Sequence, residues 1–287
     1  MIDALLQPAL APEELARPLR LLAAMRYACL DGGKRLRPFL VIETARLFGA
    51  AGDGVLRASA AVEMLHCYSL AHDDLPAMDN DDFRRGRPSL HKAFDEATAI
   101  LTGDALQTLA FDTLADEATH PLPQVRAELV LGLARASGLG GMAGGQALDL
   151  EAEQSAARLT EPQISLLQSM KTGALLRFSV EAGAVIGGAD TTARSALRRY
   201  GSALGAAFQI ADDILDVEGD DKAMGKRSGK DAQRNKATLV SAMGIEAARR
   251  RCEDHVSAAV AALRDARLDE DTGMLTQAAE FARWRKF

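Results

Sequence analysis

A stripe of polar side chains inside an otherwise apolar segment places the strongest constraint on how this chain can fold. The stripe consists of Gln209, Asp212, Asp213 and Asp216. Its members recur at i, i+3, i+4 and i+7, the spacing that places side chains on one face of a helix. Apolar residues such as Phe208 and Ile214 lie between them, which implies burial nearby, and a buried carboxylate is costly unless a cation compensates it. We therefore predict a helix whose acidic face binds a cation; a solvent-exposed acidic face is the alternative.

A second acidic group lies far upstream, in the segment from His72 to Pro88. Its acids are Asp73, Asp74, Asp79, Asp81 and Asp82, and its bases are Arg84, Arg85 and Arg87. Two separate carboxylate groups suit Mg²⁺, which takes oxygen ligands and is usually completed by substrate phosphate. Arginine forks bind phosphate oxygens, so this segment can hold both the metal and the phosphate that the metal bridges. The sequence predicts a divided site for magnesium and phosphate; a solvated acidic turn with local ion pairs is the alternative.

The rest of the chain has the pattern of long helices. Alanine and leucine are abundant, aromatic residues make up only 5%, and apolar residues recur at three- and four-residue spacing. We predict helices over residues 12–30, 38–48, 55–72, 97–115, 123–137, 160–186 and 191–217, followed by two or three more. No linker or solenoid repeat interrupts the 287 residues. The predicted architecture is a single all-α domain over residues 1–287.

Composition and charge narrow the class of function. The formal net charge is -6, which argues against non-specific binding to nucleic acid or to anionic membranes. No apolar run reaches the roughly 18 residues needed to span a bilayer, and the N-terminus lacks the pattern of a signal peptide. The three cysteines are far apart and form neither a disulfide framework nor a zinc motif. We expect a cytoplasmic protein without a membrane span.

Basic residues that could bind phosphate occur in three further places. Lys34 and Arg37 lie at the entrance of a predicted helix, and helix N-termini attract anions. His66 lies about two helical turns before the second acidic group, so the two can share one face. The polar segment 218–236 contains Lys226 and could close over a phosphate as a lid. An exposed basic turn, a core histidine and a mobile solvated loop are the respective alternatives.

Six short motifs follow one another in a fixed order. They are Gly32-Gly33-Lys34-Arg35-Leu36-Arg37-Pro38, Asp73-Asp74 with Asp79, Arg84-Arg85-Gly86, Gly144-Gly145-Gln146-Ala147-Leu148-Asp149-Leu150, Lys171-Thr172-Gly173, and Phe208-Gln209 with Asp212, Asp213 and Asp216. In this order they resemble the trans-isoprenyl diphosphate synthases, the polyprenyl synthetase family, and the match is close to its bacterial farnesyl diphosphate synthases. The resemblance covers about residues 30 to 240, and the ordered set is specific although each piece alone is weak.

This resemblance implies an isoprenoid synthase fold with helices around a central cavity, usually homodimeric. The implied reaction is the Mg²⁺-dependent condensation of isopentenyl diphosphate with dimethylallyl or geranyl diphosphate, with three Mg²⁺ ions bridging the two aspartate groups and the allylic diphosphate. Metal binding is implied for Asp73, Asp79 and Asp212 as direct ligands, with Asp74, Asp213 and Asp216 orienting waters and ligands; Asp74 and Asp216 are included in the predicted metal site. Binding of the allylic diphosphate is implied for Arg84, Lys171, Thr172, Gln209 and Lys226. Binding of isopentenyl diphosphate is implied for Lys34, Arg37, His66 and Arg85. The residues implied in catalysis are Asp73, Asp79, Arg84, Lys171, Asp212 and Lys226.

The resemblance also bears on the length of the product. The growing chain would run along the helix before Asp73, and Tyr68 would form a bulky floor that limits the product to farnesyl diphosphate. A tyrosine that only packs at a dimer interface is the structural alternative, and geranylgeranyl diphosphate is the alternative product. Two other functions stay open: a class I terpene cyclase, which uses one diphosphate, and a non-catalytic subunit that binds another synthase.

Overall fold

The computed structural model describes residues 1–7, 17–30, 32–155, 159–218, 238–266 and 272–284. Its helices are α1 (Ile2–Leu5), α2 (Leu19–Cys29), α3 (Leu36–Arg46), α4 (Asp53–Asp73), α5 (Leu90–Ala93), α6 (Glu96–Ala115), α7 (Pro123–Ser137), α8 (Met142–Gln154), α9 (Glu161–Gln168), α10 (Ala174–Ile186), α11 (Thr191–Glu218), α12 (Leu239–Met243), α13 (Ile245–Asp265) and α14 (Gly273–Trp284). The strands within these ranges are β1 (Phe83–Arg84) and β2 (Arg87–Pro88), which pair in an antiparallel hairpin. The prediction of an all-α fold is confirmed.

Local signals explain where several helices begin. Asp95 precedes α6, and its side chain accepts a hydrogen bond from the backbone N–H of Thr98 at 2.7 Å. Pro123 is the first residue of α7, where its missing N–H is harmless. Thr160 and Gln163 form a capping box at the start of α9. These starts lie within a residue or so of the predicted ones because each depends on neighbouring residues alone.

Helix α10 lies at the centre of the molecule and is buried along nearly its whole length. Leu175, Phe178 and Ala182 belong to an apolar core that also contains residues of α2, α4, α6 and α7. Leu176 and Val180 belong to a second core, built with α3, α11, α13 and α14. A helix that is apolar on every side is stable only when neighbours surround it. The two cores therefore share α10, while the number of domains in the chain stays a prediction.

The structure differs from the expected pattern in several places, and the helices α1, α5 and α8 were not among the predicted ones. The predicted helix 160–186 is interrupted by a π-helical turn, Ser169–Gly173, which joins α9 to α10. The segment after α4 forms the β1–β2 hairpin, with Arg85 and Gly86 at φ 55 and 75 between the strands. Both central residues are left-handed, as a tight hairpin turn requires. The helix predicted over 12–30 is α2 in its described part, and residues 8–16 lie outside the described ranges.

No helix within the described ranges is both long and apolar enough to cross a membrane.

Candidate active site

The loop that follows α4 folds back onto the end of that helix. The backbone N–H of Asp79 donates to the carbonyl of Asp73 at 2.7 Å, and that of Asp81 donates to the carbonyl of Asp74 at 3.2 Å. The pKa of Asp73 is raised to about 6, mainly by burial and also by the charges of Asp79 and Asp74, while Lys171 and Arg84 act in the lowering direction. Several carboxylates therefore meet at this end of α4, and their mutual repulsion together with burial disfavours ionisation of Asp73.

Asp74 and Arg84 form a buried ion pair between the end of α4 and strand β1. The Asp74 side chain is 2% exposed, and Arg84 Nε donates to its Oδ1 at 3.0 Å. Arg84 also lies 3.4 Å from Asp81. Burial raises the pKa of the Asp74 carboxyl, while Arg84 lowers it. The metal role predicted for Asp74 stays a prediction, because in this structure its carboxylate is the partner of Arg84.

The π-helical turn between α9 and α10 carries Lys171 and Thr172. Lys171 Nζ donates to Asp149 Oδ2 on α8 at 2.5 Å, and its charge acts on Asp73. Helix α8 approaches this turn closely at Gly145, where an added Cβ would lie 2.2 Å from the backbone nitrogen of Lys171. Only glycine permits such an approach. The contact with Asp149 therefore holds the Lys171 side chain beside the acidic end of α4. π-Helical turns are frequent at functional sites.

The acidic stripe of α11 divides into members with different surroundings. Asp213 is 3% exposed and accepts hydrogen bonds from Gln168 Nε2 at 2.7 Å, Gln209 Nε2 at 3.1 Å and the backbone N–H of Leu239 at 3.1 Å. It therefore ties α11 to α9 and to the start of α12. Asp212 and Asp216 are half-buried. The predicted stripe thus contains one fully buried carboxylate, Asp213, and two that are half-buried.

A short segment connects the two acidic groups. Gln168 binds Asp213 on α11, and Lys171, three residues later, acts on Asp73 at the end of α4. The two groups, far apart in sequence, therefore adjoin the same π-helical turn. Within the described ranges, no three His, Cys, Asp or Glu side chains converge closely enough to hold a metal ion by themselves. Carboxylates in two groups beside one turn suit Mg²⁺, which commonly uses one or two carboxylates and completes its coordination with substrate phosphate and water.

A basic cluster lies around α4, before its acidic end. We use this name for Arg35, Arg37, His66 and Arg85, which surround the buried carboxylate of Glu63. Glu63 pairs with Arg35 and, at 3.5 Å, with Arg85. Burial lowers the pKa of Arg37 to about 10, and its Nε is buried without a hydrogen-bond partner among the described residues. A concentration of guanidinium groups with one carboxylate suits a multiply charged anion.

The glycine pair before α3 allows the chain to cover Arg85. Gly33 has φ +85, and a Cβ there would lie 2.8 Å from Arg85 Cζ. Lys34, the next residue, lies with its Nζ 5.7 Å from the centre of the Phe281 ring on α14. The Gly32–Gly33 motif therefore belongs to the packing of the basic cluster and not only to a turn.

His66 is expected to be neutral in the free protein. Burial lowers the pKa of its imidazole well below 6.5, and the charges of Arg37 and Arg85 lower it further. Below pH 6.5 the unfolded chain therefore binds a proton that the folded protein refuses, so this contribution to stability is present above pH 6.5 and is lost as the pH falls.

Replacing His66 with glutamine should remove that dependence. Between pH 7.5 and pH 5.5 the free energy of unfolding of the wild type should fall by about 1 kcal/mol more than that of His66→Gln. Urea unfolding at the two pH values measures the difference. Equal losses in the two proteins would contradict a buried neutral His66.

The family model described as polyprenyl synthetase matches residues 19–271. The chain belongs to the polyprenyl synthetase family. The farnesyl diphosphate synthase of Geobacillus stearothermophilus is 45% identical over 259 residues, which are 90% of this chain and 86% of that protein. Among solved structures, an FPP/GFPP synthase from Zymomonas mobilis is 44% identical with a TM-score of 0.83 and covers 100% of this chain and 93% of its own. A geranyltransferase from Helicobacter pylori, complexed with magnesium and isoprenyl diphosphate, is 31% identical with a TM-score of 0.81, over 98% of this chain and 92% of its own.

Membership of the polyprenyl synthetase family confirms the predicted resemblance and the enzyme class, a prenyltransferase. The roles of individual residues stay predictions. Lys226 and the predicted lid 218–236 lie mostly outside the described ranges, which end at residue 218 and resume at 238. The other predicted site residues fall into the acidic groups, the π-helical turn or the basic cluster, except for two. Tyr68 lies near Asp73, and Lys34, the residue before Arg35, has its ammonium over the Phe281 ring of α14.

Three residues beside these sites were missed or given no role by the sequence analysis. Glu63 was not singled out, although an acid within the apolar run of α4 is itself a signal of a buried partner. Arg35 was treated only as part of a motif, and its left-handed φ of 51 could not be foreseen. Asp149 belongs to a recognised motif, but its role as the partner of Lys171 depends on the packing of α8 against the π-helical turn.

Proposed function

We propose that this protein condenses isopentenyl diphosphate with an allylic diphosphate, dimethylallyl or geranyl, to form farnesyl diphosphate. The observation that supports this proposal is the presence of two groups of side chains suited to anions, one at the acidic end of α4 and one around Glu63, earlier on the same helix. The acidic groups with Lys171 suit a metal-bound diphosphate, while the basic cluster suits a second diphosphate without a metal. A terpene cyclase uses a single diphosphate and would leave the basic cluster without a ligand.

In this proposal Asp73, Asp79 and Asp212 hold Mg²⁺, as three ions, with Asp74 and Asp216 supporting them. When bound, the metal neutralises negative charge on the diphosphate of the allylic substrate. The raised pKa of Asp73 fits this role, because a carboxylate that is buried and lies beside other acids is stabilised in its charged form by a nearby cation. Lys171, Arg84, Thr172, Gln209 and Lys226 are the proposed ligands of the same diphosphate.

The side chains around the π-helical turn prepare departure of that diphosphate. Asp149 holds Lys171 in place. The Lys171 ammonium can therefore stabilise the negative charge that develops on the diphosphate as the bond between the allylic carbon and oxygen breaks. The double bond of isopentenyl diphosphate then attacks the allylic cation, and loss of a proton to the released diphosphate restores a double bond. Arg37, Arg85, His66 and Lys34 hold isopentenyl diphosphate for this attack. A neutral His66 donates a hydrogen bond there without adding a charge.

The proposed enzyme is a homodimer. An apolar groove of about 540 Å³ lies between α2 and α6 and includes Leu21, Leu22, Leu101 and Leu109. Leu101 is 56% exposed, and its neighbour Ile100 is 45% exposed. Apolar surface of this kind on a folded chain favours burial against a partner.

The direct test is product analysis with purified protein. Isopentenyl diphosphate together with geranyl diphosphate and Mg²⁺ should yield farnesyl diphosphate as the main product, and chelation of Mg²⁺ by EDTA should lower the rate at least about a thousandfold. Chromatography of the dephosphorylated products measures both, and the same preparation should sediment as a dimer. Hydrocarbon formed from farnesyl diphosphate alone would support a cyclase, and turnover only with an added synthase would support a non-catalytic subunit.

A further inference from the structure

The buried carboxylate of Glu63 has no place in the proposed chemistry, although it contacts groups that do. It lies on α4 with its side chain 2% exposed. Its Oε1 accepts a hydrogen bond from Arg35 Nη1 and lies 3.5 Å from Arg85 Nη2. His66 follows one helical turn later. An acid so completely buried is rare unless cations pair with it, and its loss leaves those cations uncompensated.

Arg35 is held at two points. Its Nη1 donates to Glu63, and its Nη2 donates to the backbone carbonyl of Cys29 at 2.6 Å. The backbone of Arg35 is left-handed, with φ 51, a conformation that side-chain-bearing residues adopt rarely and at some cost. The side-chain contacts compensate that cost. The loop that carries Lys34 and leads into Arg37 therefore depends on the anchor between Arg35 and Glu63.

The charges of the basic cluster oppose one another without Glu63. Burial is the largest cause that lowers the pKa of Arg37, and the charge of Arg85 lowers it too. The carboxylate of Glu63 raises it. Arg37, Arg85 and Arg35 are three guanidinium groups around this single carboxylate. Glu63 thus offsets part of the repulsion that would otherwise separate the guanidinium groups before an anion arrives.

We propose that Glu63 is a positioning residue for isopentenyl diphosphate, acting through Arg35 and Arg85. Glu63 holds both guanidinium groups and the loop before α3 in the geometry that binds the diphosphate. This inference rests on the proposed function of the basic cluster. It assigns to Glu63 no contact with the substrate, which a carboxylate would repel.

Two physical expectations for Glu63→Gln point in opposite directions. If Glu63 contributed only its charge, its removal would make the basic cluster more positive, and isopentenyl diphosphate would bind more tightly. If Glu63 positions the arginines, the amide holds them less firmly, and the preorganised geometry is lost. The direction of the change in KM therefore separates positioning from a simple electrostatic effect.

The experiment compares Glu63→Gln with the wild type in steady-state kinetics. KM for isopentenyl diphosphate should rise about tenfold, which corresponds to ~1.4 kcal/mol, while KM for geranyl diphosphate should change less than about twofold. Glu43→Gln is the matched control, since Glu43 pairs with Arg46 at 2.9 Å on α3, away from Glu63, and it should leave both KM values unchanged. An unchanged or lower KM for isopentenyl diphosphate in Glu63→Gln would overturn the inference.

A second variant tests the same network if Glu63→Gln does not fold. Arg35→Lys keeps the positive charge but loses the fork that reaches both Glu63 and the Cys29 carbonyl. It should also raise KM for isopentenyl diphosphate several-fold and leave KM for geranyl diphosphate unchanged, and equal KM values would count against the inference.

Failure of the proposed function would be visible separately. In that case the wild type itself would not elongate geranyl diphosphate. Calorimetric titration with isopentenyl diphosphate still tests Glu63, because the inference requires binding and not turnover. Weaker binding by Glu63→Gln than by the wild type supports the inference. Equal or tighter binding by the variant refutes it, and so does the absence of binding by both proteins.

Discussion

Replacing Asp73 with asparagine is expected to lower kcat about a thousandfold, close to 4 kcal/mol in the activation barrier. The amide has nearly the same shape but no charge, so it cannot hold a divalent cation against the departing diphosphate. Asp212→Asn should have a similar effect, since Asp212 is the proposed ligand from the other acidic group. Measured rates at saturating Mg²⁺ and substrates give the comparison.

The same variant should fold at least as well as the wild type. The pKa of Asp73 is raised to about 6, from an ordinary value of 3.8, mainly by burial. A raised carboxyl pKa means that ionisation opposes folding, so this contribution to stability is present at low pH and is lost as the pH rises through about 4 to 6. At pH 7 the free energy of unfolding of Asp73→Asn should therefore equal or exceed that of the wild type.

Asp82→Asn is the matched control for the loss of charge. Asp82 lies in the loop that follows Asp73, has a side chain that is 63% exposed and pairs with Lys92 at 3.0 Å. Its replacement should change kcat less than about twofold, because exposed ion pairs contribute little. Near-normal turnover in Asp73→Asn, with the control unchanged, would contradict the proposed metal site.

Replacing Tyr68 with alanine is expected to shift the main product from fifteen carbons to twenty or more. Tyr68 lies on α4, five residues before Asp73, and is half-buried. Its ring meets that of His72 edge to face at a centroid distance of 5.1 Å. Burial raises the pKa of its phenol, and the charges of Asp73 and Asp104 raise it further, which places the side chain between the acidic end of α4 and helix α6. Removing the ring would open space along this face for a longer chain.

Tyr68→Phe separates the ring from the hydroxyl group. It keeps the bulk and removes only the polar group, so its products should match those of the wild type. The distribution of chain lengths, with geranyl and isopentenyl diphosphates as substrates, is the measurement. Tyr68→Ala should lose about 1–3 kcal/mol of stability as a half-buried aromatic residue, so circular dichroism must first establish that it is folded. An unchanged product from folded Tyr68→Ala would contradict the role of Tyr68 in limiting the length of the product.

Sequence reasoning was most successful where the signal is local. The start of α7 at Pro123 and the capping box at Thr160 depend on residues only a few positions apart, and the predicted helices fall close to the observed ones. The stripe on α11 is likewise a matter of helical spacing. Sequence reasoning failed at the π-helical turn, because one extra residue in a helical turn leaves no mark in a pattern of apolar spacing.

The spacing of residues in the sequence did not predict the partners of each charged side chain. Asp212 and Asp213 are neighbours on one predicted face, yet Asp213 is occupied by donors from Gln168 and Leu239, residues distant in sequence. Asp74 could not be distinguished from Asp73 by pattern, although Arg84 binds it in the folded chain. A carboxylate's partners depend on which elements pack beside it, and that is a property of the whole core.

The amino-acid sequence alone determined the all-α architecture, the family and the residue types available for magnesium and diphosphate, because helical periodicity, capping and ordered motifs are encoded in neighbouring residues. Only the tertiary structure decided that one π-helical turn adjoins two distant acidic groups and that Glu63 pairs with two arginines of the basic cluster. Those relations arise from the packing of α8, α10 and α11 around a shared core, where the burial of one side chain fixes the position and the pKa of another.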